Sequence, residues 1–115
     1  MTDGALLTRG TVAWAELSPT RGRDQSGRRP VLIIASNAYL ETITALALVL
    51  PITTVDRGWP NHVLMRGAHG LDRPSWAMTE QVRTLCRDRI VDVIGVVDDA
   101  TVHDVEIYLR DFLGL

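Results

Sequence analysis

Apolar residues along this chain fall in short runs divided by turn-forming residues, a rhythm that belongs to strands rather than to long helices. Val12, Trp14 and Leu17 mark a first strand over residues 11–17, which Ser18-Pro19 ends. Residues 31–36 form an unbroken apolar run rich in β-branched side chains, and that predicts a central strand buried on both faces. Residues 37–42 read as a short helical turn or loop, and residues 43–50 as a third strand whose far end Pro51 interrupts. The turn-rich stretch 56–61 leads to a strand over 62–65, a loop covers 66–74, and two more strands follow at 75–78 and 91–97. Between those two, the polar connection 81–89 holds one helical turn. The last segment changes period: Asp98 and Asp99 supply capping oxygens and first-turn charge, and Val102, Val105, Leu109, Phe112 and Leu113 recur on one helical face. Antiparallel strands closed by one terminal helix predict an α+β, mostly β fold. Its form is a small, strongly bent sheet or partial barrel carrying a C-terminal amphipathic helix.

A chain of 115 residues with 46% hydrophobic residues suits one core, so residues 1–115 are expected to form a single domain. The net charge of -2 would argue against a nucleic-acid partner if it were evenly spread. It is not. Residues 20–30 hold Arg21, Arg23, Arg28 and Arg29 against Asp24, whereas residues 88–111 are strongly acidic, and screening confines each field to about 10 Å. A lone cysteine, Cys86, forms no internal disulfide and reads as a partly buried structural residue. No apolar run has the length of a leader or a membrane span, so a soluble, cytoplasmic protein is expected.

Residues 20–30 are the stretch richest in chemistry. Gly22 and Gly27 free the loop, and Pro30 holds Arg29 extended at the mouth of the next strand. All 12 basic residues are arginine, whose planar fork suits paired phosphate oxygens. The plainer reading is a solvated loop. His62, His69 and His103 lack metal-ligand spacing with any cysteine or carboxylate cluster, so no metal site is expected.

Four motifs line up in order: Arg9-Gly10-Thr11-Val12-Ala13-Trp14, Gly27-Arg28-Arg29-Pro30-Val31-Leu32-Ile33, Leu50-Pro51-Ile52-Thr53-Thr54 and Glu80-Gln81-Val82-Arg83-Thr84-Leu85. Together they resemble the MazF/PemK family of toxin endoribonucleases from bacterial toxin-antitoxin pairs. The resemblance implies a homodimer of SH3-like barrels, of the kind shared with CcdB. Such a dimer cuts single-stranded RNA, mRNA above all, without metal or other cofactor, leaves 2′,3′-cyclic phosphate and 5′-hydroxyl ends, and is neutralised by a cognate MazE-like antitoxin.

The resemblance makes Arg29, the family's arginine before proline, and Thr53, at the end of the third strand, the catalytic residues. Arg29 would supply charge to the phosphorane, and the Thr53 hydroxyl would hold a phosphate oxygen or the 2′-OH in line. By itself a threonine pair at a strand end more simply ties up turn backbone. Where some members carry a histidine, an arginine and an aspartate for proton transfer, this chain has Arg23, Met78 and Glu80. Glu80 is a candidate base or a reader of a nucleobase edge, or else a surface partner of Arg83; His62 is the other titratable candidate, or else a surface histidine. Arg23, Gln25, Arg28, Thr54, Trp59 and Gln81 complete the expected RNA-binding set, with Trp59 the stacking candidate and Trp14 expected in the core. Two readings compete: a non-catalytic, CcdB-like toxin that binds DNA gyrase, which has no use for Arg29 with Thr53, and an inactive RNA-binding barrel.

Overall fold

The computed structural model describes residues 7–17 and 27–115. Its strands are β1 (Thr11–Glu16), β2 (Arg28–Ile33), β3 (Leu46–Thr53), β4 (His62–Leu64), β5 (Trp76–Met78), β6 (Arg83–Cys86) and β7 (Ile90–Val96). Its helices are α1 (Asn37–Thr42) and α2 (Asp99–Leu113), with one 3-10 turn at Arg87–Arg89. All strand pairs are antiparallel, in the order β4-β5-β3-β2-β1-β7, and β6 also pairs with β3. The predicted α+β, mostly β class is the observed one. The barrel is not closed, because the paired order ends on β4 at one side and β7 at the other.

The middles of the central strands are apolar because both of their faces are buried there. Val12, Leu32, Leu50 and Ile52 turn to one side and pack with Val105 and Leu109 of α2. Ala15, Val31, Ile33 and Val49 turn to the other side and meet Leu40 of α1. Each fully buried valine, leucine or isoleucine among them contributes about 1.5 to 3 kcal/mol. Helix α2 begins where Asp98 accepts hydrogen bonds from the Thr101 N–H at 2.9 Å and from its hydroxyl at 2.7 Å. Those bonds hold the Asp98 carboxyl below its ordinary pKa. Phe112 and Leu113, expected on the buried face, are instead exposed, and the Phe112 ring lies 6.1 Å from that of Tyr108.

Two prolines sit inside strands, contrary to the boundaries expected from sequence, and the pairing explains both. Strand β2 starts at Arg28 rather than 31, and β3 runs through Pro51 to Thr53 rather than ending at 50. Leu17 N–H donates to Gly27 C=O at 2.9 Å and Ile34 N–H to Leu48 C=O at 2.9 Å. By the alternation of an antiparallel ladder, odd residues of β2 therefore address β1 and even ones address β3. Pro30 lacks a donor on the β3 side, and the β2–β3 register stops at Val31↔Pro51. Odd residues of β3 face away from β2. Pro51 thus lacks its donor where β3 changes partner, from β6 at Val49↔Arg83 to β5 at Ile52↔Ala77.

Strand β6 occupies part of the predicted polar connection, whose single helical turn is the 3-10 segment. Cys86, expected to be partly buried, is exposed. None of the described helices is long and apolar enough to cross a membrane.

Candidate functional site

Where the β2–β3 ladder stops, the two strands leave an open groove of about 620 Å3, a size that suits a nucleotide-sized ligand. It is lined by Trp14, Arg29 and Pro30 on one flank and by Ile52, Thr53, Thr54 and Val55 along its floor. Gly70, Leu71, Asp72, Arg73 and Ser75 form the far flank. Continuing the register two residues past Val31↔Pro51 sets Arg29 across from Thr53. They share the face that carries Ile33 and Val49 into the core, so one cross-strand row begins as packing and ends as a polar site. Trp14, expected in the core, is half-buried and lines this groove.

The Thr53 hydroxyl oxygen accepts a hydrogen bond from the Val55 N–H at 3.1 Å. That is the turn-tying role expected of a threonine pair, and it also leaves the hydroxyl proton free to donate outward. Arg29 is exposed, and no hydrogen bond or ion pair occupies its guanidinium among the described residues. Other arginines are committed to the fold. Arg9 donates to Glu106 at 2.7 Å and to Ile34 C=O at 2.9 Å, Arg66 pairs with Asp104 at 2.7 Å, and Arg87 donates to the carbonyls of Leu40 and Leu46. Arg28 is exposed beside Arg29, while Arg23 and Gln25 lie outside the described residues.

Glu80, His62, Trp59 and Gln81 form a second cluster, at the other end of the β4–β5 hairpin from Thr53. Glu80 does not pair with Arg83 as the surface alternative had it. It accepts from Asn61 Nδ2 at 2.8 Å and from Gln81 Nε2 at 3.3 Å, and it lies 3.0 Å from His62 Nε2. Burial works to raise the Glu80 pKa, but hydrogen bonds from His62, the backbone and Gln81, with the His62 charge, hold it below the ordinary carboxylate value. His62 is buried rather than at the surface, and its Nδ1 has no partner among the described residues. Trp59 is 50% exposed, its ring 4.8 Å from that of His62 and flanked by the Arg57 guanidinium at 5.9 Å. One face of the indole is therefore partly taken.

The depressed Glu80 pKa predicts an acid-side dependence of stability. Ionised Glu80 stabilises the fold above its unfolded pKa of about 4.3, and that contribution is lost as pH falls through the lower folded value. Urea denaturation of Glu80→Gln between pH 7 and 3 is expected to show a shallower acid-side loss of stability than the parent. Parallel curves would remove the pair from the pH response.

Sequence reading did not single out Asp72 and Arg73, which the far flank brings to the groove. The signal available was a loop with two glycines, Gly67 and Gly70, and an arginine, Arg73, just ahead of a short strand.

Comparison with known proteins identifies the family. Residues 8–113 match the model of a family described as PemK-like, MazF-like toxins of type II toxin-antitoxin systems. Endoribonuclease EndoA of Bacillus subtilis is 33% identical over 114 residues, 96% of this chain and 97% of its own length. Endoribonuclease MazF of Staphylococcus saprophyticus is 32% identical, covering 96% and 93%. In a crystal structure of MazE-MazF from Deinococcus radiodurans, a chain superposes with a TM-score of 0.82 at 25% identity, over 97% of this chain and 99% of that one.

Proposed function

Because the chain belongs to the PemK-like, MazF-like family of type II toxins, we propose that it is a sequence-specific endoribonuclease that cleaves single-stranded RNA without a metal and is neutralised by a MazE-like antitoxin. The names of its relatives support the activity, and a solved MazE-MazF neighbour supports the antitoxin. One observation carries the reading on this chain's own residues: Arg29 and Thr53, far apart in sequence, line one open groove from adjacent strands.

RNA brings its own nucleophile. The 2′-oxygen forms a bond to phosphorus as it loses its proton, the bond from phosphorus to the 5′-oxygen breaks, and that oxygen gains a proton, leaving a 2′,3′-cyclic phosphate and a 5′-hydroxyl. Arg29, permanently charged and without a partner among the described residues, faces the charge that develops on the phosphorane. Thr53, its oxygen held by the Val55 N–H, donates its proton to a phosphate oxygen and fixes the in-line geometry. A gyrase-binding toxin would have no use for this pair.

Glu80 and His62, with Trp59 and Gln81, are better placed to read a base beside the cleaved linkage than to move its proton, since Glu80 stays ionised and is held by three side chains. Arg28 and Thr54 contact RNA around the same groove, and Arg23 and Gln25 complete the RNA-binding set. The molecule acts as one domain over residues 1–115, as a homodimer, in the cytoplasm where its substrate lies.

An RNA with a single 2′-deoxy sugar at the cut site is expected to resist cleavage in EDTA while the all-ribose strand is cut. Cutting of the deoxy strand at that linkage would exclude attack by the substrate's own hydroxyl.

A further inference from the structure

Resting on that reading, we propose that Arg73 is a second phosphate-binding residue, which holds the RNA phosphate next to the cleaved linkage and so sets the strand's path along the groove. Arg29 and Arg73 stand on opposite flanks of β3: β2 lies on one side, and β5, whose Trp76 pairs with Thr53, lies on the other with the Arg73 loop leading into it. Neighbouring strands are about 4.8 Å apart, so the two flanks are separated by roughly 10 Å at the backbone. Thr53 sits between them. A strand laid across the floor with its scissile phosphate at Arg29 and Thr53 therefore runs on toward Arg73.

The Arg73 guanidinium is exposed and, among the described residues, carries no hydrogen bond or ion pair. A permanently charged fork on the wall of a concave groove, unpaired among the described residues, is suited to an anion that arrives with the ligand. Asp72 on the same wall would repel phosphate, which leaves the Arg73 side as the place where backbone charge is accepted.

The wall that carries Arg73 is rigid, which turns an exposed side chain into a positioned one. Val96 N–H donates to Ala68 C=O at 3.0 Å and Asp98 N–H to Arg66 C=O at 2.9 Å, tying the loop to β7 and the start of α2. Ser75 Oγ donates to the Arg73 carbonyl at 3.0 Å. Gly70, at φ +84°, lies so close to Ile94 that a Cβ would overlap the Ile94 carbonyl oxygen, and a Cβ on Gly95 would overlap Ala68 and His69 backbone. Loop and strand are interlocked through the absence of two side chains.

The test compares Arg73→Ala, Arg73→Lys, Arg29→Ala and, as a charge control outside the groove, Arg110→Ala. Cleavage of a short RNA and binding of its non-cleavable 2′-deoxy analogue are measured across a salt series. For Arg73→Ala we expect KM to rise about tenfold with kcat within about twofold, and the slope of log affinity against log salt to shrink by about 0.7, the value for one phosphate on a single strand. Arg73→Lys should recover most of the slope but not all of the affinity, and Arg110→Ala should change neither. An unchanged slope and KM for Arg73→Ala would overturn the assignment, as would a loss confined to kcat, which would place Arg73 at the cleaved phosphate itself. If the parent protein binds the analogue but cuts no RNA, the nuclease reading fails, while the salt slopes still judge Arg73.

Discussion

Replacing Arg29 with alanine is expected to lower kcat by about 10² to 10³-fold, the cost of removing one preorganised donor at a developing charge, while KM changes little. The reason lies in where the residue stands. Arg29 is exposed, beyond the last β2–β3 pair, and its guanidinium is bonded to nothing among the described residues, so its loss takes no support from the fold. Thermal melting of Arg29→Ala should match the parent within about half a kcal/mol, as surface substitutions generally do. Arg29→Lys should recover only part of the rate, because an ammonium offers a point charge in place of a fork. Single-turnover cleavage beside a melting curve separates chemistry from folding. Parent-like turnover by Arg29→Ala would remove the residue from the mechanism.

The largest effect on stability is expected at Gly95. Alanine there would press its methyl group into the carbonyl of Ala68 and the backbone of His69, atoms of a loop that cannot swing aside because two backbone hydrogen bonds fix it to β7 and α2. Forcing extra volume into such a contact costs about 3 kcal/mol, and for a chain of this size that lowers the melting temperature by roughly 10 °C. The urea midpoint reports it directly. Cleavage should suffer too, through KM, since the displaced loop carries Arg73. A midpoint equal to the parent's would mean that loop and strand slide apart freely.

Elements whose apolar pattern is self-contained were legible from the residues. The α2 helix, the capping by Asp98 and the short strands β4, β5 and β7 follow from local period and turn chemistry within a residue or two, whereas residues 37–42 read as turn or loop as readily as the helix α1 they form. The departures are tertiary. Pro51 reads locally as a terminator, yet β3 continues through it, because the donor it lacks faces the gap between β6 and β5. Strand β6 has Leu85 as its one buried residue, so its sequence carries no alternation to read. His62 reads as a surface histidine until Glu80, from the neighbouring hairpin strand's far end, covers it.

The same division holds for the site. Arg29 and Thr53 stand out in the sequence through their motifs, and both line one groove where the β2–β3 register stops. Arg73 was not, because nothing in a loop sequence says which groove the loop will wall.

Pro30 has a further consequence. Two neighbouring extended segments pair through their backbone N–H and C=O groups wherever both are available. Here the stop is a covalent ring on the nitrogen where the next rung would form. The rung beside Arg29 therefore lacks a bond that no change of salt or pH can restore, and the polar groups of the groove floor stay available to a ligand.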